Sequence, residues 1–263
     1  MKKRQERKYF DKEWAEMKTS LQSWLRKEQQ EDLHHFRTQV KKLRAFLILS
    51  SSVDHHQKLT KLFKPVRNIF KQAGEIRNAY MNQELGKAQH IHHNEFMNSQ
   101  HQLQVKAARK FKSNKARFLE KLKSTHLLLK KKIKPISDLH ITLFYQTQLE
   151  QIAGSLTALK FDDRLHQCRK QVKILIYNHK LTKPVRHTAF NDHYLDEVQA
   201  AIGDWHDHVL AIALFSSDEA KDKAAVTGLK KQDSKLKKNI KILTKDFYNQ
   251  ATTVVDVPVE QLS

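Results

Sequence analysis

Apolar residues recur at three- and four-residue spacing along almost the whole chain, the period of a helix with one buried face. The pattern breaks where Pro, Ser, Asp or Asn cluster, and it predicts helices over 11–28, 30–50, 57–85, 94–133, 138–153, 162–181, 190–215 and 229–249. Pro65 lies inside the third of these and should kink or restart it, because proline supplies no amide hydrogen. The clearer interruptions are Ser50 to Ser52, Lys134-Pro135 and the stretch from Thr182 to Pro184. Residues 252–263 are β-branched, contain Pro258, and read as an extended tail.

Composition supports the same picture. Only five Gly and four Pro occur in 263 residues, so turns are scarce and long helices are favoured. Leu, Ile, Val and Phe together number 70, enough for a packed core despite the high charge. The expected class is therefore all-α. The longest apolar runs, such as Ala45 to Leu49, fall far short of the roughly 20 residues a membrane span needs. The start, MKKRQERKYF, has no apolar stretch behind its charges and does not read as a secretory leader. Cys168 is the lone cysteine, so no internal disulfide and no zinc site of paired cysteines is available, and the reducing cytoplasm is the expected location.

Charge narrows the choice of partner. The chain holds 49 Lys and Arg against 28 Asp and Glu, a formal charge of +21. Between His101 and Ile136 there are twelve Lys or Arg and one acid, Glu120. Such a helix is either a solvated face or a surface for anions.

An internal repeat carries more information than the net charge. Leu33 to Leu43 (LHHFRTQVKKL) aligns with Leu165 to Leu175 (LHQCRKQVKIL) at an offset of 132, with seven of eleven positions identical. Downstream, AGEIRN ending at Asn78 pairs with IGDWHD ending at Asp207, which sets Gly74 with Gly203 and Arg77 with His206. The chain therefore reads as two copies of one helical unit about a pseudo-twofold axis. At about 100° per residue, His34, Arg37, Lys41 and Arg44 fall within an arc of roughly 80°, bordering the arc of Leu33, Phe36, Val40 and Leu43. His166, Arg169 and Lys173 repeat the arrangement. Cations at the margin of an apolar face can be half enclosed by a neighbouring helix. Crowding them costs roughly 1 kcal/mol per close pair even in water, which a polyanionic guest would offset.

These motifs resemble the CHAD domain, whose name records histidines in an α-helical domain. The resemblance rests on H-x-x-R-x-x-x-K-K-x-R at His34 to Arg44, G-E-I-R-N at Gly74 to Asn78, H-x-x-R-K-x-x-K at His166 to Lys173 and G-D-W-H-D at Gly203 to Asp207. It spans roughly residues 25 to 250 and implies a single domain over 1–263. A first half of about 11–90 and a second of about 138–250 would be joined by the basic helix of about 94–135 and arranged around a central basic cleft. It further implies binding of inorganic polyphosphate, association with polyphosphate granules, and no intrinsic catalysis. Carried over position by position, the implied ligand residues are His34, Arg37, Lys41, Lys42, Arg44 and Arg77, and then His166, Arg169, Lys170, Lys173, Tyr177 and His206. The places matching Lys42 and Arg44 hold Ile174 and Ile176, so the second half should supply fewer contacts.

Other chemistries find little support. There is no P-loop, G-x-S-x-G or H-E-x-x-H, and the repeated stripe has no carboxylates to hold the metal ions of phosphoryl transfer, so no enzyme and no cofactor is expected. Sixteen His include the cluster His90, His92 and His93, to which no metal site is assigned. Nucleic acid is the alternative partner, because charge alone does not separate polyanions. Binding of single strands favours exposed aromatic rings, whereas Phe36, Phe46, Phe63, Phe70 and Phe118 fall mainly on core-facing positions.

Overall fold

A computed structural model describes residues 3–53, 59–89, 94–186, 190–218 and 220–253. The protein is all-α: the described residues form eleven helices and no strand. These are α1 (Lys3–Lys27), α2 (Gln30–Ser52), α3 (Leu59–Leu62), α4 (Lys64–Ala88), α5 (Asn94–Ser113), α6 (Lys115–Lys132), α7 (Asp138–Thr157), α8 (Asp163–Thr182), α9 (Asp192–Ser216), α10 (Lys223–Thr244) and α11 (Phe247–Thr252). They form two compact units, Met1–Ile136 with Val209–Lys230, and Ser137–His208 with Lys231–Ser263.

In the first unit α1 packs along α2, α2 against α4, and α4 along α5. Phe10, Trp14, Met17, Leu21 and Trp24 form the buried seam of α1, and Leu33, Phe36, Val40 and Leu43 that of α2. Both series step by three and four residues, which keeps one stripe of each helix on the core. The α1–α2 corner closes on Glu28, whose φ of 56° is the left-handed cap conformation that non-glycine residues seldom adopt. Glu28 also pairs with Lys112 of α5 at 2.5 Å. A second cluster in this unit gathers Phe96 of α5, Ala211 and Phe215 of α9, and Leu229 of α10.

In the second unit α7 packs on α8, and α11 on α7. Ser137 caps α7 by accepting from the His140 amide, and Asp162 caps α8 by accepting from that of Arg164. Tyr145 is buried; its hydroxyl donates to the Leu175 carbonyl and accepts from Thr182 Oγ1, each at 2.9 Å. Burial pushes its phenol up to about 12.

Several boundaries differ from the sequence expectation. The helix expected over 94–133 is two helices with a break at Asn114, whose Nδ2 donates to the Lys110 carbonyl at 2.8 Å and so competes with the helical ladder. The break places Phe111 against Phe118, ring centroids 4.8 Å apart. Helix 11–28 begins eight residues earlier, at Lys3, and the strongly charged first turns still bury Glu6 and Phe10. Pro65 restarts the chain as expected, standing in the first turn of α4. The helix expected over 229–249 is α10 and α11, separated at Lys245-Asp246. Thr252 ends α11 rather than opening a tail; the remainder of the tail from 254, and the cluster from His90 to His93, lie outside the described residues. No described helix is long and apolar enough to cross a membrane.

Candidate functional site

The first stripe lies on α2 and faces α4. His34 is exposed, and Arg37 is half-buried with its Nη1 donating to the Phe70 carbonyl at 3.0 Å. Arg37 Cζ also stands 4.2 Å from the centre of the Phe70 ring. Desolvation and then the nearby Arg77 push the pKa of Arg37 below its ordinary value, and the same two causes act on His34. Arg77 of α4 therefore lies close to both residues. Lys41 continues the stripe and is exposed; its charge also bears on His34. Arg44 at the far end is pushed down by desolvation and by Arg67 of α4.

Lys42 is placed differently from its neighbours. Its Nζ is 3.7 Å from Glu13 Oε2, a buried carboxylate of α1, so it is turned toward that helix and its charge is internally compensated. Arg67 is the basic residue that motif reasoning missed. It stands on α4 three turns before Arg77, and the pattern of a second basic row on α4 was its signal in the sequence.

The second stripe lies on α8 and faces α9. Arg169 is half-buried and its Nε donates to the Gln199 carbonyl at 3.0 Å. His166 stacks on His206, ring centroids 3.8 Å apart and planes 23° apart. Lys170 is exposed, close enough for its charge to bear on His166. Lys173 Nζ stands 5.9 Å from the Tyr177 ring, and desolvation followed by Arg169 pushes it down while Asp196 and Asp207 act the other way. Burial pushes Tyr177 up. The structure thus brings together Arg37, His34 and Arg77 in one unit, and Arg169, His166, Lys173, Tyr177 and His206 in the other.

Of the five phenylalanines that bear on nucleic-acid binding, Phe36, Phe46, Phe63 and Phe118 are buried, and Phe70 is occupied by Arg37. Among the described residues no group of three or more His, Cys, Asp or Glu is placed to hold a metal ion. The basic α5–α6 segment is mostly exposed, with Lys112 paired to Glu28 and Lys130 to Asp11.

The histidine pair predicts a pH dependence of folding. Desolvation first, and then His206, Lys170 and Arg169, push His166 from 6.5 to about 4. The unfolded chain therefore binds more protons between these values, and stability is full above about 6.5 and falls as pH drops toward 4. Urea unfolding between pH 7 and 4 should show this decline. It should be shallower in His166→Asn; an unchanged slope would remove His166 as the cause.

A duplicated helix bearing His, Arg and Lys, facing a glycine of a second helix, defines the class: all-helical proteins with repeated cationic stripes. The CHAD domain family model matches residues 8–216, and the chain belongs to that family. The crystal structure of the CHAD domain from the plant Ricinus communis is similar with a TM-score of 0.66, covering 90% of this chain and 89% of that one at 15% identity, which shows a shared fold. Comparison with the curated proteins finds no match.

Proposed function

We propose that this CHAD-family protein binds inorganic polyphosphate through the two basic stripes and does not hydrolyse it. The observation that carries the reading is the recurrence, in both units, of an arginine held on the neighbouring helix beside a further cationic or titratable group, Arg37 beside Arg77, and Arg169 beside His166, which stacks on His206. Like charges held half-buried raise the local potential, and a flexible polyanion with one charge per phosphate relieves it without base-specific contacts. Arginine suits this guest because its planar fork matches phosphate oxygens. Family membership supports polyphosphate over nucleic acid, as does the burial of Phe36, Phe46, Phe63 and Phe118, which leaves stacked bases fewer exposed rings. Residence at polyphosphate granules is the corresponding cellular reading.

The decisive experiment is competition between long-chain polyphosphate and RNA of equal charge for the same protein. Polyphosphate should win at every salt concentration; a preference for RNA would replace this reading by the nucleic-acid one. Binding should also weaken steeply with salt, since about six phosphate contacts releasing roughly 0.7 counterion each give a log–log slope near −4. A slope near zero would mean that the cationic stripes do not carry the binding. Incubation with magnesium should release no phosphate, and turnover that disappears in an Arg169 variant would overturn the non-catalytic part.

A further inference from the structure

Gly74 and Gly203 hold matching places in the repeat, and each lies beneath the matching arginine. A Cβ built on Gly74 would stand 2.6 Å from Arg37 Nη1 and 3.5 Å from its Cζ. One on Gly203 would stand 2.5 Å from Arg169 Nη2, 2.8 Å from Cζ and 2.9 Å from Nε. In both cases the three nearest atoms belong to the arginine side chain and none to a helix backbone. The atoms a Cβ would meet first are therefore those of the arginine and not those of a facing backbone. The acceptor is also the same in both units: Arg37 bonds the carbonyl of Phe70 and Arg169 that of Gln199, each four residues before the glycine.

We infer that Gly74 and Gly203 are positioning residues of the polyanion site, each omitting a Cβ so that an arginine lies across its helix and bonds the carbonyl one turn upstream. The inference rests on the polyphosphate reading for its functional consequence and on geometry alone for the seat itself. A guanidinium carries five N–H donors; the seat uses one and leaves the others for phosphate. It also holds a long side chain in one orientation before the ligand arrives, so less rotamer freedom is lost on binding. The two seats differ in kind. In the first unit the Phe70 ring supports Arg37 as well, and the Cβ would meet only the tip of the guanidinium. In the second the position of Phe70 is taken by Gln199, and Nε, Cζ and Nη2 all lie on Gly203, so that seat depends more on its glycine.

The test is Gly203→Ala, with Gly74→Ala as the milder companion. Alanine favours a helix interior over glycine, so neither the melting temperature nor the helical circular dichroism should fall. Polyphosphate affinity should nevertheless drop about tenfold in Gly203→Ala, the share of one charge-assisted contact, and less in Gly74→Ala. In an Arg169→Gln background Gly203→Ala should have no further effect. An equal loss with and without Arg169 would overturn the inference, because the glycine would then act through general packing. Two-dimensional ¹H–¹⁵N spectra of the arginine Nε–H groups give a readout independent of ligand. The Arg169 signal should shift or broaden in Gly203→Ala, and an unmoved signal would overturn the seat. If the wild-type protein bound no polyphosphate, the functional reading would fail while this spectrum still decided the seat.

Discussion

Arg37→Glu and Arg169→Glu should each weaken binding of long-chain polyphosphate by about tenfold or more, while the helical circular-dichroism signal stays unchanged. Each arginine supplies the partly buried guanidinium at the centre of its stripe, and a charged hydrogen bond of this sort contributes about 1.5–3 kcal/mol. Reversal also sets a new carboxylate against a guest carrying one negative charge per phosphate. The losses should be unequal. Without Arg37 the first unit keeps Arg77, Lys41, Arg44 and Arg67 around the stripe. Without Arg169 the second keeps Lys170 and Lys173, and Lys173 is already attended by Asp196 and Asp207. Arg169→Glu should therefore be the more severe, as titration with fluorescent polyphosphate at fixed salt would show. If both variants bound like wild type while replacing Lys106, Arg109 and Lys110 by Gln abolished binding, the ligand would sit on α5 and the stripes would be structural.

The sequence displayed the helices because a single buried stripe leaves a period of three to four residues, and the long helices α2, α7, α8 and α9 lie close to their expected spans. It concealed the Asn114 break, since that corner uses a side chain capturing a carbonyl and needs neither proline nor glycine. The equivalence of Gly74 with Gly203 and of Arg77 with His206 was legible from the repeat, whereas the closeness of Arg37 to Arg77 and the stacking of His166 on His206 come from the structure. Lys42 entered with the carried-over motif and not with the repeat. Its direction is set by Glu13 on a different helix, and no periodicity within α2 records that partner. The seats for Arg37 and Arg169 were half legible. The two glycines stood out as repeated, but the acceptors are backbone carbonyls of Phe70 and Gln199, and a carbonyl leaves no mark on residue identity.

Arg67 and Asp196 show how the two stripes have diverged, and they give the second large effect. They occupy matching places in α4 and α9, at the same offset of 129 that relates Gly74 to Gly203. Opposite them, Arg44 in α2 matches Ile176 in α8. A pair of cations in the first unit has thus become an isoleucine and an acid in the second, and the charge of Asp196 bears on Lys173 and Tyr177. For a polyanion this places an attractive end on one stripe and a repulsive one on the other. Removing the acid should strengthen binding: Asp196→Asn keeps the side chain's shape, still offers Gln199 Nε2 an acceptor in place of the present 3.1 Å bond, and should raise affinity about threefold to tenfold. Arg67→Glu should lower it by a similar or larger factor, because it changes the charge by two. Both shifts should shrink as salt rises, because the screening length falls from about 10 Å at 0.1 M to about 3 Å at 1 M. Isothermal titration of the two variants at low and high salt decides the matter: an Asp196→Asn protein that binds no better than wild type would mean that the far end of the second stripe never meets the phosphate chain.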